Sequence, residues 1–148
     1  MRRPKPPAPA TGSADDVEVE FYESMQRGDI ERLMALWSDD DEISCVHPGG
    51  PRLVGTVAIR ASFDAMFAIG TIDARPEKVR RLDTHSTAVH SVLERIRVMG
   101  PQGEAFAFVV ATNVYVKATR GWRMVAHHAS PGTASEVQDI AETASILH

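Results

Sequence analysis

The chain has 148 residues, 43% of them hydrophobic and 24% charged, with a formal net charge of −4. That length suits one domain whose core needs no disulfide or structural metal. The balance excludes the concentrated basic surface a nucleic-acid binder needs, and no apolar run approaches the roughly 18 residues of a membrane span.

Residues 1–13 are basic and proline-rich, with Pro4, Pro6, Pro7 and Pro9. Proline fixes φ and removes a backbone donor, so a flexible arm is expected. Its positive start has no apolar stretch behind it, so no secretory leader is expected. Cys45 is the sole cysteine, which rules out an intrachain disulfide and fits a reducing, cytoplasmic setting.

A first helix is predicted over Ala14 to Arg27, capped by Ser13 or Asp15, with Val17, Phe21 and Met25 forming an apolar stripe. Gly28-Asp29 breaks it, and Asp29 caps a second short helix reaching Trp37. The run Asp39 to Glu42 reads as a solvated turn. A strand from Glu42 to His47 follows, closed by Pro48-Gly49-Gly50-Pro51. Thr56 is placed to cap a third helix carrying Ile59, Phe63 and Phe67, which Gly70 ends. The period then changes. Val79 to Leu82, Ala88 to Val98, Glu104 to Lys117 and Trp122 to Ala129 read as strands, with turns at Gly100–Gly103 and Ala118–Gly121. Helices first and long antiparallel strands after make the class α+β, with one domain over 14–131. The tail, 132–148, has helical spacing at Val137, Ile140, Ala144 and Leu147.

Strand alternation sorts the side chains. Trp122, Met124, Ala126, His128 and Ser130 share one face of the last strand, and Arg123, Val125, His127 and Ala129 the other. In the preceding strand Ala111, Asn113 and Tyr115 oppose Val110, Thr112 and Val114, and neither face is plainly polar. One face is therefore expected on the core and the other on a second subunit. His90 and Glu94 share a face. A functional dyad is one reading, and solvation on the exposed side of the sheet is the preferred one.

Three segments resemble the nuclear transport factor two-like superfamily, in its SnoaL-like branch. They are Phe21-Tyr22 with Gly28-Asp29-Ile30 and Leu36-Trp37; Cys45 to Gly50 with Gly55 and Ile59-Arg60; and Gly121-Trp122 through His128 and Ser130. The resemblance spans Asp15 to Pro131. It implies helices packed into a strongly curved antiparallel sheet, a cone-shaped barrel with an internal pocket, dimerising through the outer sheet face. The branch includes polyketide cyclases, ketosteroid isomerase relatives, dehydratases and proteins that only bind or assemble, so fold alone does not name a reaction. The isomerases combine an aspartate base with a tyrosine and a protonated acid. Here Asp83 and Glu94 match only by type, and the face of Tyr115 is open. His128 matches the family's interior histidine and Ser130 the residue two further on.

His128 is thus the candidate general acid or base, since imidazole titrates near neutrality; His127 is expected at the dimer face. His47 either binds ligand or satisfies its own turn. Arg52 either clamps an oxyanion or lies on the surface. Asn113 and Ser130 are candidates to hold an oxyanion, and Trp37 and Trp122 to form apolar walls. Cys45 and His47 share a face as a thiol–imidazole pair or as core. His47, His90 and His128 do not converge in the sequence, so no metal and no cofactor are expected. The expected function is binding of a small apolar or carbonyl-containing molecule, with proton transfer next to a carbonyl as its chemistry. The alternative is a non-catalytic dimeric assembly or regulatory module.

Overall fold

The computed structural model describes residues 10–133 and Asp139. Its elements are α1 (Ala14–Arg27), α2 (Ile30–Ala35), β1 (Ser44–Val46), β2 (Arg52–Val54), α3 (Thr56–Ile69), β3 (Ala74–Asp83), β4 (Thr87–Gly100), β5 (Gly103–Ala118) and β6 (Gly121–Pro131). The six strands form one curved, unclosed sheet in the order β2-β1-β6-β5-β4-β3. Neighbours are antiparallel except β1 and β6, which run parallel. The helices lie in the hollow of the sheet.

Local chemistry sets the helix ends. Ser13 Oγ accepts from Asp16 N at 3.1 Å, and Asp15 and Asp16 occupy the first turn, where the helix dipole favours acids. Gly28 ends α1 in the left-handed region at φ 65°. Asp29 then caps α2 by accepting from Arg32 N. Trp37, expected as the last residue of α2, leaves the helix and pairs with Met124 of β6 as an isolated bridge. The cap of α3 is Gly55 rather than Thr56, and it has no side-chain hydrogen bond. A strand not expected from the sequence, β2, pairs Arg52 to Val54 against β1.

The stripe Val17, Phe21 and Met25 is buried, together with Leu33, Leu36, Ile59, Phe63, Val92 and Met124 in one core. Each such side chain stabilises the fold by roughly 1.5–3 kcal/mol through burial.

Three local features shape the sheet. Two-residue loops close the hairpins at the pairs Gly100–Gly103 and Ala118–Gly121. Gly121 has φ 110°, and a Cβ there would lie 2.9 Å from Thr11 O, which accepts Trp122 N–H at 2.7 Å. Thr11, expected in the flexible arm, is therefore laid against the start of β6. Residues 1–9, 134–138 and 140–148, including the expected tail helix, fall outside the described residues.

The second feature lies in β6. Tyr115 pairs with Met124 and Val114 with Ala126, so Val125 is an extra residue, a β-bulge. Beyond it the face parity reverses: Met124, His127 and Ala129 are buried, whereas His128 and Ser130 are exposed. The third is a register shift in β3 between Glu77 and Arg80, where Lys78 sits at φ 46°.

Candidate functional site

Pairing register aligns five chemically distinctive residues across the sheet. Cys45 pairs with His127, His127 with Asn113, Asn113 with His90, and His90 with Arg81. The row crosses β1, β6, β5, β4 and β3, and its first four members are buried. Adjacent strands lie about 4.8 Å apart, so neighbours in the row are within reach of one another's side chains.

Helix α1 supplies the opposing groups. Glu18 and Tyr22, one turn apart on the same face, meet His90 and Glu94 of β4. Tyr22 donates its hydroxyl to Glu94 Oε2 at 2.7 Å, and Asn113 Nδ2 donates to the Tyr22 oxygen at 3.1 Å. Asn113 Oδ1 accepts from His127 Nδ1 at 2.5 Å. A second branch joins His90 Nδ1 and the Tyr115 hydroxyl to Glu18 Oε2, at 2.8 and 2.6 Å. Polar groups buried in an apolar interior are costly unless paired, and this network pairs nearly all of its members.

Burial sets the protonation of the first branch. It pushes the Glu94 carboxyl up to about 7; the Tyr22 hydrogen bond works against that rise and the Glu18 charge adds to it. The same desolvation, then the Glu94 charge, raises Tyr22 well above the usual phenol range. His127 is held down to about 3 by burial, and then by the nearby His47 and His128. His127 is therefore a neutral imidazole at ordinary pH. Its Nδ1 hydrogen is committed to Asn113, which leaves Nε2 as the acceptor.

Several sequence expectations change here. His128 is exposed on the outer face beside Thr112, and His127 takes the interior place; the bulge at Val125 is the reason. Ser130 is also exposed, 3.5 Å from Val110 O. Arg52 lies exposed on the three-residue strand β2. His90 and Glu94 are buried instead of solvated, because α1 covers that face of β4 and brings each a partner. Asn113 and Tyr115 both face the interior. Trp37 is buried in the core and Trp122 half-buried at its margin.

His47 is half-buried at the end of β1, with Nε2 3.0 Å from Ser62 Oγ and 3.8 Å from Cys45 Sγ, and burial lowers its pKa. The Cys45 thiol is pushed up to about 12 by burial and then by the Glu94 charge, so the pair is not a thiolate–imidazolium couple.

Glu18 and Tyr22 were not read as site residues. A signal existed: they directly follow Val17 and Phe21, so they fall inside the buried arc of α1.

An open, curved sheet wrapped around α1, with a polar row on its inner face, defines a cone of the nuclear transport factor two-like class. The chain belongs to the SnoaL-like domain family, whose sequence profile matches residues 15–134. A provisionally named dehydratase of the NTF2-like family from Streptomyces avermitilis is 34% identical, with 80% of this chain and 93% of that one covered and a TM-score of 0.71. A provisionally named calcium/calmodulin-dependent protein kinase type II association domain from Thiobacillus denitrificans is 31% identical, covering 84% and 99%, with a TM-score of 0.75. An NTF2-like protein of unknown function from Pseudomonas putida shares the fold at 17% identity and a TM-score of 0.69, covering 86% and 89%. No match to a curated protein was found at the sequence level.

Proposed function

We propose that the chain binds a small, mostly apolar molecule carrying a carbonyl in an internal pocket of the cone, and moves a proton on the carbon next to that carbonyl. Glu94 is the proton carrier. The observation that carries this reading is a carboxyl inside an apolar core, held by Tyr22, with its pKa brought up to about 7. A group poised there exchanges a proton at ordinary pH in either direction. Tyr22 and Asn113 orient it, and His127 Nε2 accepts a hydrogen bond from a ligand hydroxyl. Isomerisation, cyclisation and dehydration all use such a step, and none asks for a cofactor. The Streptomyces relative named as a dehydratase points the same way. We place the protein in the cytoplasm, where a lone thiol stays reduced; no helix among the described residues is long and apolar enough to cross a membrane.

The test is deuterium exchange at carbons next to the carbonyl across a panel of cyclic and β-hydroxy ketones. Wild type should catalyse exchange on at least one. Glu94→Gln should lower the rate by roughly 100-fold or more. Equal rates for wild type and Glu94→Gln would reject Glu94 as the carrier, and no exchange on any panel member would reject the enzyme reading.

A second reading, an assembly module, rests on a different observation. The outer face of β5 carries Phe106, Phe108, Val110 and Val114, with Phe106 45% exposed. An association domain is among the relatives above 30% identity. This reading predicts a homodimer through the outer face. Sedimentation should show a dimer at micromolar concentration that Val110→Glu converts to monomer; a wild-type monomer would reject it.

A further inference from the structure

We propose that His90, Asp15 and Asp83 form a binding site for a divalent first-row transition metal at the rim of the cone, with Glu18 behind them as the orienting carboxylate. His90 is wholly buried. Its Nδ1 lies 2.8 Å from Glu18 Oε2, which also accepts the Tyr115 hydroxyl. With a hydrogen on Nδ1 donated to that carboxylate, the ring's lone pair falls on Nε2. That Nε2 is buried and has no hydrogen-bond partner.

The unpartnered nitrogen is aimed at two carboxylates. Asp83 Oδ1 lies 3.6 Å from it and Asp15 Oδ1 4.0 Å. These separations are too long for hydrogen bonds. They fit the edges of a coordination polyhedron, where ligand atoms about 2.1 Å from one ion stand about 3.4 Å apart. Both aspartates are more than half exposed, so each can swing towards a shared ion. The ion would enter from solvent between them. Asp15, Glu18 and His90 bring ligand atoms within 4.8 Å of one another, and Asp83 stands just outside that set on the other side of His90 Nε2.

A carboxylate fixing one ring nitrogen of a histidine whose other nitrogen faces outward is the outer-shell arrangement metal sites use. Arg81 donates to Asp15 Oδ1 at 2.8 Å, and that oxygen keeps a second lone pair for the ion. Three carboxylates against one guanidinium leave an excess of negative charge that a divalent cation neutralises. The imidazole nitrogen selects zinc or cobalt over calcium or magnesium. This site does not depend on the proton chemistry proposed for Glu94.

The experiment uses the full chain, freed of metal by a chelator and titrated with zinc by calorimetry and with cobalt by visible absorption. One ion per chain is expected. The double variant Asp15→Asn/Asp83→Asn, its fold checked by circular dichroism and melting temperature, should weaken binding at least tenfold. Glu18→Gln should weaken it by roughly 10–100-fold. His85→Ala and His128→Ala should leave it unchanged. No stoichiometric binding at millimolar zinc, binding that survives the double aspartate variant, or binding lost in His128→Ala would each overturn the proposal.

Discussion

Tyr22 and Glu94, 72 residues apart in the chain, share one buried hydrogen bond of 2.7 Å, and it ties the first helix to the inner face of the sheet. Beyond geometry, it fixes how the protein responds to pH. The Glu94 carboxyl moves from an ordinary 4.5 to about 7 on folding. Between those values the folded chain keeps a proton that the unfolded chain has lost. Stability therefore falls as pH rises through that window, by about 3 kcal/mol in total, and is level above it. Glu94→Gln removes the fall. Urea unfolding at about pH 8 should find the variant more stable than wild type, with the difference shrinking towards pH 5. A variant less stable than wild type at the higher pH would contradict this account.

His127 works in the opposite sense. Its pKa drops from 6.5 to about 3 on folding, so the unfolded chain binds a proton in that window that the folded chain refuses. Stability is lost as pH falls below 6.5, by up to about 5 kcal/mol. Where the two windows overlap, the slopes from Glu94 and His127 cancel. Relative to wild type, His127→Gln should gain a one-proton downward slope of stability against rising pH there, and Glu94→Gln a one-proton upward slope. Unfolding curves across the overlap that keep the same slope in all three proteins would refute the pairing.

Cys45 should be inert. With its thiol raised from 9.0 to about 12, the thiolate is roughly a thousandfold scarcer than at an ordinary cysteine. Ellman's reagent should label the folded chain slowly and the urea-unfolded chain at once. Comparable rates in both states would show that the interior opens readily.

Gly121→Ala should destabilise the fold by about 1–3 kcal/mol. The position has φ 110°, and the added carbon would collide with the Thr11 carbonyl oxygen at 2.9 Å. Gly70→Ala is the control: Gly70 is extended at φ 165°, and a Cβ there meets nothing within 4 Å. Melting temperatures of the two variants should separate clearly; equal shifts would mean that Thr11 does not hold the hairpin.

Much of the fold was legible in the sequence, because α1 carries its own caps and the hairpins their own glycines. Alternation along β5 correctly grouped Ala111, Asn113 and Tyr115 on one face. The site was less legible for two physical reasons. The bulge at Val125 has no glycine or proline to announce it, so strict alternation placed His128 where His127 belongs. His90 and Glu94 look like surface residues until Glu18 and Tyr22 are brought across from α1, and that partnership spans 72 positions in each case.

The sheet ends at β2 on one side and β3 on the other. Exposed edges invite another chain to add a strand, the first step towards fibrillar aggregates. Here β2 is three residues long, and β3 is kinked at Lys78, lacks an amide hydrogen at Pro76 and carries Arg75, Arg80 and Arg81. Neither edge is a good template for zipping. Copies of this chain crowded together are thus steered away from edge-to-edge growth.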